Sequence, residues 1–342
     1  MAGPYLVTGA SGFAGRHLLE ARAPGTTAIA LVRDRAAWEA EDWTGPLTDV
    51  STAQGSLTGA DSLADELPAL AGIFHCAALV RHSRINAGEV YTTNVDGTLS
   101  MVRLAAQHGC RMVMLSTSGT VGCFTSPEET ADESADFCEA VVKDWPYYHS
   151  KIVAERRARA LAEELGVELV FIRPPVLLGP GDHRFRSTSN IVRMLRGRLP
   201  FLIRGGMHFV DIRDAIRAVW NAMTLPEVRP IYHLAGTASS IEEFFAMVEE
   251  ASGVTAPHRI LPYGLAHRIA AADEWIGMRL RGEPLHFFPG PVVVEMAAHY
   301  WGLASLYAAD DLGYRCRNPH TTLRDTVEWL RAHHPQLRSA AA

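Results

Sequence analysis

The strongest constraint on this chain is the order of its apolar runs. Between Tyr5 and Pro174, short runs that read as strands alternate with stretches of helical period. The strands are "YLVTGA", "TAIALVR", "GIFHCAA", "RMVMLST" and "VELVFIRP". The helices include "GRHLLEARA", "EVYTTNVDGTLSMVRLAAQHG" and "YYHSKIVAERRARALAEELG", the last two closed by a Gly at the C-cap. Successive parallel strands need a crossover, usually a helix, so this order predicts an α/β fold with a doubly wound parallel sheet. A length of 342 residues with 48% hydrophobic content suits one large core and a smaller lobe.

The texture changes after Pro174. "RPPVLLGPGDHRFRSTSN" is rich in Pro, Gly and polar residues, and the chain from about Ser239 is mostly of helical pattern, interrupted near Pro257, Pro262, Pro284 and Pro289. "FVDIRDAIRAVWNAM" and "IYHLAG" read as a helix and a strand returning to the sheet. The expected organisation is a nucleotide domain over 1–174 with a return segment at about 208–237. A discontinuous, mainly helical substrate lobe takes 175–207 and 238–335, and 336–342 is a frayed tail.

Charge and motifs exclude several classes. A formal charge of −6 argues against a nucleic-acid footprint. The cluster Arg156, Arg157 and Arg159 lies among Glu155, Glu163 and Glu164 and reads as a solvated helix face. No run is long and apolar enough to span a membrane, and the first apolar segment leaves no room for a signal peptide before it, so a cytoplasmic location is expected. Five scattered cysteines and fifteen dispersed histidines form no metal pattern, so no metal is expected.

"VTGASGFAG" follows the first strand and opens the first helix. Gly9, Gly12 and Gly15 allow a tight turn, close approach of the backbone to a pyrophosphate and close packing of helix on strand. The helix N-terminus then offers N–H groups to the phosphates. The second strand ends at Arg33, where a cation accommodates the 2′-phosphate of NADP and a carboxylate would favour NAD. Arg33 with Arg35 nearby points to NADP; a register one residue different would hand the site to Asp34 and to NAD.

"DWPYYHSK" holds two tyrosines before a lysine. Tyr147 alone lies four residues before Lys151, on one helix face with it, whereas Tyr148 is rotated by about 100°. A neighbouring ammonium lowers the pKa of a phenol, so Tyr147 is expected to exchange a proton with a carbonyl or alcohol while Lys151 tunes it and holds the ribose. Tyr148 reads as packing or a substrate contact. A hydroxyl beyond the strand "RMVM" would orient the substrate oxygen.

These motifs, with "HCAA" at 75–78, Asn94, "STSGTVG" at 116–122, "RPPVLLGPGD" at 173–182 and "FVDIRDA" at 209–215, resemble the extended short-chain dehydrogenase/reductase family over most of the chain. The resemblance implies a Rossmann-type fold and a Ser/Thr–Tyr–Lys catalytic set. It identifies Thr117 as the hydroxyl, with Ser118 the second choice and Ser116 the third. It also implies that Asn94 supports a proton-relay water, and that Gly9, Ser11, Gly12, Phe13, Gly15, Arg33, Ser56, Leu57, Ala77, Ala78, Lys151, Pro174 and Val176 surround the cofactor. His75 is read as packed. Where the family often carries Gly-Asp-Leu this chain has "GSL", with Ser56 at the Asp position, which weakens the adenine contact.

Within the family, dehydratases carry Asp-Glu after the catalytic hydroxyl; here Ser118 and Gly119 stand there. "VRDRA" and "AAHYWGLASLYAADDLGY" resemble the dihydroflavonol reductase and 3β-hydroxysteroid dehydrogenase branch. "HFFPGPVVVEM" and "HYWGL" offer an apolar, aromatic palette. The expectation is an NADP-dependent carbonyl reductase of a small, largely apolar or ring-containing metabolite. A nucleotide-sugar epimerase with tightly held NAD and a non-catalytic nucleotide-binding regulator are the alternatives. The resemblance also implies a homodimer through the helices at about 88–109 and 147–165, whose small residues Ala105, Ala106, Ala154 and Ala158 permit close pairing.

Overall fold

A computed structural model describes residues 3–285 and 287–337. The strands in chain order are β1 (Tyr5–Thr8), β2 (Ala28–Val32), β3 (Val50–Gln54), β4 (Gly72–His75), β5 (Arg111–Leu115), β6 (Cys123–Phe124), β7 (Leu169–Arg173), β8 (Val176–Leu178), β9 (Gly206–Asp211), β10 (Ile231–His233), β11 (Thr237–Ser240) and β12 (Tyr300–Trp301). Seven of them form one parallel sheet in the order β10-β7-β5-β4-β1-β2-β3. This is the Rossmann-type doubly wound sheet that the strand–helix alternation predicts.

Side-chain alternation explains why both faces are covered. Val7, Phe74, Val113, Val170 and Ile172 enter one apolar core. Their neighbours Leu6, Ile73, Met112, Met114 and Phe171 enter the other. Near-continuous apolar runs are what a parallel sheet buried on both faces requires. The chain runs from β1 outward through β2 and β3, then returns to the other side of β1 as β4. That reversal opens a crevice beyond the carboxyl ends of β1 and β4, the place where such sheets bind ligands.

Three elements differ from expectation. The long helix before β5 is interrupted: α-helical Ala87–Tyr91 and Gly97–His108 are joined by a π turn over Thr92–Asp96 that contains Asn94. A second sheet, β11-β9-β8, covers an apolar cluster with Phe209, Phe244, Leu323 and Val327. Its strands are three to six residues long and carry little period-2 signal. At the C-terminus, Pro335–Leu337 form a short turn with Leu337 only 2% exposed, so fraying does not begin at 336; the rest of the expected tail, 338–342, lies outside the described residues.

Candidate active site

The glycine loop has the geometry its spacing requires. Gly9 has φ +68°, and a Cβ there would lie 2.7 Å from Ala77 N. A Cβ on Gly15 would lie 2.2 Å from Gly9 O, so helix and strand can approach only without it. Gly12 N–H donates to Gly9 O at 2.8 Å, and Gly12 is the N-cap of the Phe13–Glu20 helix, with no side-chain cap hydrogen bond. The open helix N-terminus and the glycine turn before it fit a pyrophosphate. Arg184 Nη2 donates to Ser11 Oγ at 3.3 Å, which adds a cation beside the loop. Phe13 sits half-buried, edge-on to His17.

At the end of β2, Asp34 is the N-cap of the short Arg35–Glu39 helix, its carboxylate accepting from Ala37 N–H at 3.0 Å. Arg35 Nη2 donates to Thr52 O at 3.2 Å. Arg33 is exposed and its guanidinium has no protein partner among the described residues. Ser56 is exposed and bonds Thr58 Oγ1 at 3.2 Å, while Leu57 packs against Gly97.

Ala77 and Ala78 follow β4 and are tied down by a directional chain of hydrogen bonds. Thr98 Oγ1 donates to Asn94 O at 2.6 Å and so accepts from His75 Nε2 at 3.0 Å. His75 Nδ1 is then unprotonated and accepts from Thr8 Oγ1 at 2.8 Å, and Thr8 Oγ1 accepts from Ala77 N–H at 3.2 Å. Burial, helped by the positive charge of Lys151, pushes His75 down to about 3, so the ring is neutral as this chain requires. His75 is therefore a packed, hydrogen-bonded residue.

Asn94, in the π turn, bridges two segments. Its Oδ1 accepts from Leu79 N–H at 2.7 Å, and its Nδ2 donates to Leu79 O at 3.2 Å and Ser150 Oγ at 2.9 Å. Ser150 Oγ in turn donates to Tyr147 O at 2.6 Å. The side chain joins the loop after β4 to the turn that carries Tyr147: both amide hydrogens are used, and Oδ1 keeps one lone pair.

The helix Pro146–Leu165 starts with Pro at its first position and ends at Gly166 in the left-handed region. Its periodicity puts Tyr147 and Lys151 on one face. Tyr148 is 8% exposed and packs among Trp145, Trp301 and Val292; a Cβ on Gly119 would meet its ring at 2.1 Å. Tyr147 is half-buried at the edge of the same cluster. Lys151 Nζ donates to Leu115 O at 3.1 Å. Burial pushes Lys151 down to about 8, against the Glu155 carboxylate, and burial pushes the Tyr147 phenol up to about 12. The expected depression of the phenol by Lys151 does not appear: burial alone sets the direction.

The three hydroxyls after β5 have distinct fates. Ser116 Oγ donates to Glu155. Thr117 is the N-cap of the Ser118–Thr120 turn, its Oγ1 accepting from Gly119 N–H at 3.2 Å. Ser118 N–H donates to Pro174 O at 2.8 Å, and its Oγ has no hydrogen bond among the described residues. Val176 lies in β8, paired with Phe209.

Two hubs had no signal in the sequence. Glu155 and Arg173, 0% and 2% exposed, form a buried ion pair, Arg173 Nε reaching both carboxylate oxygens at 3.2 and 3.1 Å and Nη1 lying 3.3 Å from His233 Nε2. Glu295 accepts from Arg84 at 3.0 and 2.6 Å, from Trp145 Nε1 at 2.8 Å and from His267 Nε2 at 2.9 Å. Burial would raise its pKa, but these bonds outweigh burial and hold it below the usual range. Each hub joins residues far apart in the chain, which no local pattern announces.

Comparison with known proteins agrees with this geometry. Dihydroflavonol 4-reductase of Hordeum vulgare is 32% identical over 304 residues, 83% of this chain and 81% of that protein. Sterol demethylase protein B of Methylococcus capsulatus is 27% identical over 83% of each. The crystal structure of gox2253 superposes with a TM-score of 0.79 at 26% identity, covering 97% of this chain and 99% of that one. The chain is an enzyme of the NAD(P)-dependent oxidoreductase type. With residues 5–235 matching its pattern, the chain belongs to the NAD dependent epimerase/dehydratase family.

Proposed function

We propose that this enzyme is an NADP-dependent oxidoreductase that reduces the carbonyl, or oxidises the alcohol, of a small, largely apolar or ring-containing metabolite. The observation that carries the reading is the setting of Tyr147: a half-buried phenol at the edge of a wall made by Trp145, Tyr148, Trp301, Val292 and Met296. Such a wall suits an apolar ring. Relatives named for dihydroflavonol and sterol chemistry support the same substrate class.

When bound, the nicotinamide supplies the hydride. Tyr147 gives its proton to the carbonyl oxygen; a phenol held up at about 12 is protonated at neutral pH and ready to donate. On the geometry above we place Ser118, whose Oγ makes no hydrogen bond among the described residues, ahead of Thr117, whose Oγ1 accepts from Gly119 N–H and keeps its O–H, as the donor that orients the substrate oxygen. Lys151 holds the ribose. Asn94 fixes the Tyr147 turn to the loop of Ala77 and Ala78. Gly9, Ser11, Gly12, Phe13 and Gly15 cradle the pyrophosphate. Ser56, Leu57, Pro174 and Val176 are assigned to the remaining cofactor contacts, and 175–207 with 238–335 to the substrate lobe. A homodimer through Ala87–His108 and Pro146–Leu165, in the cytoplasm, completes the proposal.

NADP is preferred because Asp34 is held on its own helix and Arg33 remains unpaired at the strand end. A charge-assisted pair to the 2′-phosphate is worth about 1.5–3 kcal/mol, roughly ten- to a hundredfold in binding. Titration of wild type and Arg33→Ala with NADPH and NADH tests this. Arg33→Ala should weaken NADPH by that factor and leave NADH nearly unchanged; a wild type that prefers NADH would assign the ribose to Asp34. A preparation that keeps NAD through purification and interconverts sugar nucleotides would replace the reductase reading with the epimerase one, and intact cofactor binding without turnover on any carbonyl would favour the regulator.

A further inference from the structure

Among the described residues, nine of the eleven exposed large hydrophobic side chains lie between Ile260 and Phe287. They are Ile260, Tyr263, Leu265, Ile269, Trp275, Ile276, Met278, Leu280 and Phe287, with Trp275 66%, Leu280 74% and Phe287 82% exposed. Single exposed apolar residues need no explanation, but a concentration like this marks an interaction surface. We propose that this face docks on an anionic lipid bilayer, with the Tyr263–Arg281 helix lying in the plane of the interface.

The helix is 19 residues long, about 28 Å at 1.5 Å per residue. Its inward face is narrow and small: Ala266, Ala270 and Gly277 alone are buried. Leu265, Ile269, Ile276 and Leu280 form an outward stripe at helical spacing, and Trp275 and Met278 extend it around the helix. The exposed charges on the helix are all cationic: Arg268, Arg279 and Arg281. Its carboxylates Asp273 and Glu274 are half-buried at the edge towards the body of the protein, where Asp273 acts on Arg193 and Glu274 on Arg84. An apolar face studded with arginines, on a protein of net charge −6, matches an anionic surface into which the rings insert while the guanidinium groups reach the phosphates. A second copy on the same face would set arginines against arginines, with Glu283, just beyond the helix, the one exposed carboxylate among the described residues from Ile260 to Phe287. The helix does not cross the bilayer: among the described residues no helix is long and apolar enough to do so.

The surface is coupled to the active site. His267 on this helix bonds Glu295, and Glu295 bonds Trp145, the residue before the helix of Tyr147 and Lys151. Val292, one turn before Glu295, packs in the cluster of Trp145 and Tyr148. Docking therefore places the apolar wall one element from the lipid, so that a lipophilic substrate could enter from the bilayer. That use of the surface rests on the proposed function, whereas the docking itself does not.

The test is flotation of the purified enzyme with phosphatidylcholine vesicles, with and without phosphatidylglycerol. Wild type should float with the anionic vesicles, and high salt should weaken binding. Arg268→Gln with Arg279→Gln should lower the partition coefficient roughly tenfold or more. Trp275→Glu with Leu280→Glu should abolish binding while NADPH affinity stays unchanged, which shows that the variant is folded. A wild type that ignores both vesicle types overturns the proposal. So does light scattering in which Trp275→Glu with Leu280→Glu turns a dimer into a monomer, since the face would then belong to a second copy. No arm uses carbonyl turnover, so failure of docking and failure of the reductase reading are separable.

Discussion

Two helices of nearly equal length show how differently the two ends of this molecule are built. Pro146–Leu165 has nine buried residues of 20, including Lys151, Glu155 and Ile152. Tyr263–Arg281 has three of 19, none larger than alanine. The first is held by core packing and by polar partners that fix each side chain. The second has most of its large side chains facing outward and is fastened through Ala and Gly contacts, the His267–Glu295 bond and the charges of Asp273 and Glu274 acting on Arg193 and Arg84. The role proposed for Tyr147 and Lys151 requires a rigid helix because such chemistry depends on angles and distances. An interaction helix keeps its apolar area available, and its stability is completed by what it meets.

The largest test of the contrast is catalytic. Tyr147→Phe should reduce kcat by a factor of roughly 10²–10⁴ with little change in NADPH binding, the loss expected for a missing proton donor. Tyr148→Phe should be mild in rate. Ser118→Ala should cost roughly 10²–10³ and exceed Thr117→Ala. Reversed severities within either pair would move the catalytic assignment by one residue.

Breaking the buried ion pair probes the rigid side energetically. Glu155→Ala leaves Arg173 charged and buried, and should destabilise by about 3–5 kcal/mol in urea unfolding. Trp275→Ala on the outward face should change stability by about 0.5 kcal/mol or less. Comparable losses would mean that the Tyr263–Arg281 helix is as firmly integrated as the catalytic one, and the contrast would fall.

A subtler measurement asks whether the two sheets unfold together. His75 in β4 is pushed down to about 3 and His208 in β9 to about 4, both chiefly by burial. The unfolded chain therefore binds more protons than the folded one below about pH 6.5. The contribution of each to stability is complete above that pH and is lost as pH falls towards 3–4. Between pH 7 and 5 each should cost about 2 kcal/mol, using about 1.4 kcal/mol per pKa unit. His75→Gln and His208→Gln should each flatten the acid limb of urea midpoints by that amount. An effect of His75→Gln without one of His208→Gln would show that the small sheet opens before the large one.

Much of the fold was legible because local chemistry recurs with a period. Apolar runs bounded by turn residues reveal the parallel strands, and the Gly9–Gly12–Gly15 spacing needs only backbone geometry to be read. Tyr147 and Lys151 share a helix face by spacing alone. The small sheet was missed because its strands are short and their pairing joins Val176 with Phe209 and Thr237 with Phe209 across loops. The helix through Asn94 read as continuous because a π turn keeps helical periodicity almost intact.

The sequence by itself determined the fold class, the glycine turn after β1 and the phase of the helix that carries Tyr147 and Lys151, since each follows from steric limits and from residues within a few positions of one another. Tertiary structure decided the rest. Whether Ser116 keeps a free hydroxyl depends on Glu155, 39 residues further along the chain, meeting it after folding. The charge states of His75, Tyr147 and Lys151 follow from desolvation, and desolvation is a property of the packed interior, which no window of sequence contains.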